Sequence, residues 1–334
     1  MFATGAECRL VIQSLYEMYS MHLLAGTKKS FLALLFLLPV FAFSQEVKFN
    51  NSYSVACHNC YEKKLASDFQ DVFTYTKTVE LDIWNENFGI GFIADILGKT
   101  LRNDWYVKHK PQQRGNQNCV GGSFRACLLQ IKAWSDQNPG HDVITIFIDK
   151  KQNWCNYSGN KGPYDLDHLL LSVFSKTEIF TPADLLQDKA NLKEAAYTNW
   201  LSLDSLRGRF VFVITDGTVL NPRNPLNEYL SSQKQGAVCF VSPRIRSEKE
   251  ILKPGGLSKH NAQNVVFYNL KEVHGNLAQK INSLECITRV YGSSKKESVD
   301  YYEELVNRKV NFVAFYNYKI PQEKEPSTKR KSNP

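Results

Sequence analysis

The chain has 334 residues, 43% of them hydrophobic and 22% charged, with a formal net charge of +8. That is enough apolar chain to bury a sizeable core, and a single α/β barrel often uses this length. A charge of this size spreads easily over a surface, so no nucleic-acid partner is expected, while contact with anionic surfaces such as lipid head groups stays compatible with it.

The first feature along the chain is "MHLLAGTKKSFLALLFLLPVFAFSQ". Lys28 and Lys29 make a positive start, residues 31–41 an apolar run, and Ala42-Phe43-Ser44 a set of small cleavage residues. The pattern is that of a secretory signal peptide, and the run is short for a membrane anchor. Met21 stands where such a segment would begin, so residues 1–20 read as an upstream extension. The expected layout is therefore 1–44 signal peptide with extension, 45–320 a single catalytic domain, and 321–334 a basic, solvated tail. The mature protein is expected outside the cell or in the periplasm.

Export makes disulfides possible. Of the eight cysteines only Cys8 precedes the cleavage point, so an odd number remains and at least one thiol is free. Cys119 and Cys127 flank the short loop "VGGSFRA" and are the favoured pair. Cys239 in "AVCFVS" reads as a small buried strand residue. The stretch "YSVACHNCYEK", 53–63, contains Cys-His-Asn-Cys, but no second Cys-x-x-Cys or His pair completes a zinc site.

Strand-like and helix-like segments then alternate. "YSVAC" precedes a helical 62–75. "TVELDIW" precedes an irregular insertion, 85–104, and "WYVKH". The helical "SFRACLLQIKAWSDQN" stops at Pro139-Gly140. "DVITIFID", "RFVFVIT", "AVCFVS", "NVVFYNL", "CITRVY" and "NFVAFY" follow, with helical material at 165–177, 271–284 and 298–310. The strands are short, rich in β-branched and aromatic residues, and apolar on both faces, as in a parallel sheet covered on both sides. Eight or nine such strands over about 270 residues point to a (β/α)8 TIM-type barrel. A doubly wound open sheet is the alternative.

Polar residues stand at the C-terminal ends of the first four strands: His58 and Asn59, then Glu80 and Asp82, then His109, then Asp149. In a barrel these ends converge on one mouth. Glu80 and Asp82 are two apart on a strand and face the same way, ~6–7 Å apart. Two ionised carboxylates at that distance repel by roughly 2–3 kcal/mol at an effective dielectric near 20. A shared proton, a lysine or a metal ion could offset this, and a pair of structural salt bridges is the plainer alternative. With Asn59 and Asp149 the donors are all oxygens, the set that Ca²⁺ or Mg²⁺ prefers. Two histidines beside a hard metal suit phosphodiester cleavage: one steadies the developing charge and one protonates the leaving oxygen. His22, His141, His168, His260 and His274 lack such company and read as ordinary core or surface residues.

"ACHNCYEK", "TVELDIW", "YVKHKP" and "ITIFIDKK", in that order, resemble the secreted, calcium-dependent, phosphoinositide-specific phospholipase C-like proteins of the barrel phosphodiesterase superfamily. "CLLQIKAWSDQNPGHDVITIFIDKK", "WLSLDSLRGRFVFVITDG" and "CITRVYGSS" extend the resemblance over about 54–320. It implies a catalytic pair, His58 and His109, and calcium ligands Asn59, Glu80, Asp82 and Asp149, with Mg²⁺ the lesser cofactor. Lys151 and Arg289, near strand ends, are candidate phosphate contacts. The substrate would be a phosphatidylinositol-like phospholipid, met in transient contact with a membrane surface; the oligomeric state stays open.

This chain also departs from the pattern. Asp149 stands where Glu is usual, Cys57 and Cys60 replace small hydroxyl residues, the 82–109 insertion is long, and "NFVAFYNYK" replaces a Thr-Asp-containing ending. A glycerophosphodiester phosphodiesterase is the runner-up, although there the first His precedes Arg-Gly rather than Asn. An inactive barrel binding anionic head groups is the reading from another class.

Overall fold

A computed structural model describes residues 46–85, 101–110, 113, 122–154, 161–217, 224–232, 236–292 and 297–320. The expected signal segment, the tail 321–334, residues 86–100 of the insertion, and Cys119 of the favoured disulfide lie outside the described residues. Cys127 is disulfide-bonded.

The strands are β1 Ser54–Cys57, β2 Thr78–Trp84, β3 Tyr106–Val107, β4 Ile144–Lys150, β5 Phe210–Asp216, β6 Phe240–Ser242, β7 Arg244–Ile245, β8 Phe267–Lys271, β9 Ile287–Tyr291 and β10 Phe312–Phe315. Their order is β6-β5-β4-β2-β1-β10-β9-β8-β7, and every pairing along that path is parallel. The two ends of the path, β6 and β7, are neighbours in sequence, separated by Pro243 alone. Proline has no N–H to give to a ladder. Its carbonyl still accepts from Asn269 N–H of β8 at 3.0 Å. β6 and β7 are thus one stave interrupted at a proline, and the nearly closed ring has eight staves. The open-sheet alternative fails because the two ends of the strand path, β6 and β7, meet in this one stave.

One strand departs from expectation. β3, which carries the chain to His109, is antiparallel to β2 and lies off the ring. The expected third barrel strand is a short flap beside the end of β2. Removing it reduces the nine expected strands to eight staves.

The helices follow their caps. The expected helix 62–75 begins only at Phe69, with Asp68 accepting from Asp71 N–H, because 59–66 form turns. Phe124–Gln137 starts at Ser123, which accepts from Ala126 N–H, and ends before Pro139 and Gly140 (φ +76°). Among the described residues no helix is long and apolar enough to cross a membrane.

Alternation along the staves sorts the interior. β2 and β4 are buried over their full length. Val79, Leu81 and Ile83 alternate with Thr78, Glu80 and Asp82, so one set meets the helices and the other lines the barrel. The barrel floor is aromatic. Phe49, in a 3₁₀ turn ahead of β1, lies 5.9 Å from Trp200, 6.4 Å from Phe267 and 6.1 Å from Phe312, ring to ring. Above it Phe147 meets Phe312 edge-on and carries the Arg289 guanidinium 5.0 Å from its centroid. Charge begins at that level and continues to the mouth.

Candidate active site

The Cys-His-Asn-Cys stretch is a disulfide-closed turn. Cys57 ends β1 and is bonded to Cys60, with Cα atoms 5.7 Å apart. Inside the loop His58 N–H donates to Phe315 O at 2.9 Å, tying the turn to β10. Asn59 has φ +62°, the left-handed region that asparagine tolerates better than most residues. His58 continues the inward alternation of Ser54 and Ala56, and Ser54 Oγ meets Thr78 Oγ1 of the neighbouring β2 at 3.1 Å. The sequence therefore projects His58 and Asn59 over the mouth from a short, cross-linked corner.

Three carboxylates meet below them. The register pairs Asp82 with Asp149 and Asp149 with Thr215, while Glu80 lies two residues deeper. Glu80, Asp82 and Asp149 are buried and offer oxygens that all lie within 4.8 Å of one another. Arg289, 2% exposed, pairs with Glu80 Oε2 and donates through Nη1 to Asn269 Oδ1 at 3.1 Å. Lys151 pairs with Asp149 and reaches Asp82 Oδ2 at 3.1 Å. Thr215 Oγ1 donates to Asp149 Oδ1 at 2.6 Å. Gly217 completes the cradle, since a Cβ there would fall on the Asp149 carboxylate.

Burial pushes the Asp82 carboxyl up, and although Lys151 and His109 pull it back, Asp149 and Glu80 add to the rise. Burial acts on Asp149 in the same direction, but Lys151 and Thr215 outweigh it and hold that carboxyl below its usual range. The Lys151 ammonium loses solvation too, yet Asp149, Asp82 and Glu80 hold it well above the ordinary lysine range. Of the expected ways to offset carboxylate repulsion, a lysine is in place, together with a buried arginine.

Both expected catalytic histidines stand against this cluster. His58 Nε2 is 3.4 Å from Glu80 Oε2. Its ring stacks on Tyr316, centroids 4.6 Å apart and planes 19° from parallel. His109 comes off the flap: Lys108 N–H donates to Asp82 O at 3.2 Å, and the Trp84 indole N–H donates to Lys108 O at 2.7 Å. His109 Nδ1 then lies 3.3 Å from Asp82 Oδ2 and 3.1 Å from Asn59 Nδ2. The buried Tyr61 hydroxyl donates to Asn59 Oδ1 at 3.0 Å, which turns the amide NH₂ toward the ring.

The donor set fits a hard divalent cation. All three carboxylates are oxygen donors, and Asp82 Oδ1 is buried with no hydrogen-bond partner. Asn59 Oδ1 keeps a second acceptor site beside the one Tyr61 uses.

Comparison with known proteins agrees with this chemistry. A family model described as "Phosphoinositide phospholipase C, Ca2+-dependent" matches residues 112–249, a span that includes Asp149 and Lys151. The solved calcium-dependent phosphoinositol-specific phospholipase C from Pseudomonas sp. is 29% identical, with a TM-score of 0.74 over 83% of this chain and 92% of that one. A structure of the same description, named as a myoinositol complex, matches equally well. The calcium-dependent phosphatidylinositol-specific phospholipase C from Streptomyces antibioticus shares the fold, at 21% identity and a TM-score of 0.67 over 81% of this chain and 95% of that one. A search of curated proteins returned no match. Fold and mouth together define a phosphodiesterase-type barrel. The resemblance read in the sequence is borne out: the chain is similar in sequence and in fold to the calcium-dependent phosphoinositide phospholipase C proteins.

Several parts of the site carried no assignment in the sequence. Tyr61, Thr215, Gly217, Asn269 and Tyr316 each touch a site residue, and Tyr316 occupies the unusual ending of the last strand. Arg289 is a basic residue inside an apolar strand, a sign of an interior partner, and that partner is Glu80.

Proposed function

We propose that the mouth cleaves phosphatidylinositol-like lipids as a phospholipase C. The observation that carries the reading is the convergence of His58 and His109 on one buried, all-oxygen carboxylate cluster. The myoinositol named with the Pseudomonas structure supports an inositol head group. In the reaction the inositol 2-hydroxyl forms a bond to phosphorus as the bond to the diacylglycerol oxygen breaks, leaving a cyclic inositol phosphate. One proton leaves the attacking hydroxyl and one arrives at the leaving oxygen.

Glu80, Asp82, Asp149 and the Asn59 amide oxygen would hold calcium, which supplies charge neutralisation at the phosphoryl oxygens and acidifies a hydroxyl beside it. His109 is assigned the general acid. As an imidazolium, it donates from Nδ1 to Asp82 and carries its transferable proton on Nε2; once that proton has gone to the leaving oxygen, the neutral ring keeps its Nδ1 proton and the same bond to Asp82. One ring can therefore be held before and after it gives up a proton. His58, steadied by Glu80 and Tyr316, is assigned to stabilise charge on the phosphoryl group. The N-terminal segment is assigned to export, and the mouth to transient contact with a membrane surface.

The test compares His58→Ala and His109→Ala on phosphatidylinositol and on a nitrophenolate phosphodiester, whose leaving group needs no proton. Each variant should lose on the order of 10²–10⁴-fold on the lipid. His109→Ala should recover much of its rate on the activated substrate, and His58→Ala should not. Full activity of either variant on the lipid removes that histidine from the site. Lipid binding without turnover by the wild type would favour a head-group-binding barrel.

A further inference from the structure

Lys151 already bridges two of the three carboxylates that would hold a metal. Its ammonium contacts Asp149 Oδ2 and lies 3.1 Å from Asp82 Oδ2. Both carboxylates belong to the cluster that the donor chemistry assigns to a hard cation. The Lys151 backbone is fixed, its N–H donating to Ile83 O at 3.1 Å, whereas its side chain is 15% exposed and so retains an open side. Asp82 Oδ1, on the same carboxylate, has no partner, so the ammonium satisfies only part of the cluster.

A calcium ion bonds carboxylate oxygens at about 2.3–2.6 Å, inside the distance at which an ammonium hydrogen-bonds them. Two cations sharing these oxygens would repel strongly in a buried site. Charge balance points the same way. With Arg289 kept on Glu80 and Lys151 withdrawn, a divalent ion neutralises the remainder of the three carboxylates; with both cations kept, the buried site becomes positive.

We infer that Lys151 is the resident counter-cation of the mouth, and that a divalent metal binds by displacing its ammonium toward the open side. Without metal it holds the carboxylates together. With metal it becomes a mobile positive charge at the rim, placed to meet a phosphodiester anion. The inference rests on the metal-site reading above and adds an exchange to it: metal loading and the release of a phosphate-seeking lysine are one event.

The test is calorimetric titration of the whole mature protein with Ca²⁺, in the wild type and in Lys151→Met, with melting temperatures in chelator and in saturating Ca²⁺. Lys151→Met should bind Ca²⁺ at least about tenfold tighter, because no ammonium competes. It should melt below the wild type in chelator, and Ca²⁺ should close that gap. An amine-acylating reagent read by mass spectrometry gives a second measurement on the unmutated protein: Lys151 should be labelled several-fold faster with Ca²⁺ than with chelator. Equal or weaker Ca²⁺ binding by Lys151→Met, or labelling of Lys151 indifferent to Ca²⁺, would overturn the exchange while leaving the metal site standing. Absence of Ca²⁺ binding by both proteins would overturn the metal site and the exchange together.

Discussion

Asp149 can reach the mouth because residue 217 is glycine. A methyl group there would land on the carboxylate, and Gly217 N–H also donates to Lys150 O at 3.3 Å, so the backbone is held close. Gly217→Ala should therefore push Asp149 off Thr215 and lower Ca²⁺ affinity at least tenfold by calorimetry; unchanged affinity would remove Asp149 from the ligand set. Away from the mouth, Asp167 is a buried carboxyl that receives the Tyr229 hydroxyl at 2.8 Å and Val238 N–H at 3.2 Å. Burial outweighs both hydrogen bonds and raises its pKa from 3.8 to about 7. The folded state thus keeps a proton that the unfolded chain loses. Stability from this group is full below pH 4 and declines as pH rises to about 7, by on the order of 4 kcal/mol in all. Asp167→Asn has no such proton to keep. Its melting temperature relative to wild type should climb between pH 4 and 7, and a constant difference across that window would refute the assignment.

At the scale of elements, the turn closed by Cys57 and Cys60 sets the position of both His58 and Asn59. In the chain-entropy view so short a loop contributes about 2 kcal/mol. Replacing both cysteines by serine should therefore cost a modest amount of thermal stability and a larger share of kcat on phosphatidylinositol. A large stability loss with kcat unchanged would make the bond a general staple. Much of this architecture was legible in the sequence. Glu80 and Asp82 stand out because two carboxylates alternate with Val79, Leu81 and Ile83, and alternation alone places them inside a barrel. The flap was not legible, since Tyr106 and Val107 are as apolar as any stave and the direction of pairing is decided by tertiary contacts. Pro243 hid the continuity of β6 and β7 for a similar reason: the loss of one donor breaks a strand locally without ending the stave. The role of Tyr316 could not be read because stacking on His58 depends on β1 and β10 lying side by side, a contact between the two ends of the barrel.

For the molecule as a whole, a barrel with an aromatic floor and a charged mouth gathers the buried charge of its interior at one end. Metal binding there is linked to folding. At 100 times its Kd, Ca²⁺ would add about 2.7 kcal/mol of stability, a rise on the order of 5–10 °C in Tm that chelator should reverse. The most direct test of the account is phosphorus NMR of the protein acting on phosphatidylinositol vesicles, with Ca²⁺ and with chelator. The account predicts a cyclic inositol phosphate resonance that grows with Ca²⁺ and is abolished by chelator. Turnover indifferent to chelation, or a glycerophosphoryl product in place of the cyclic phosphate, would contradict it.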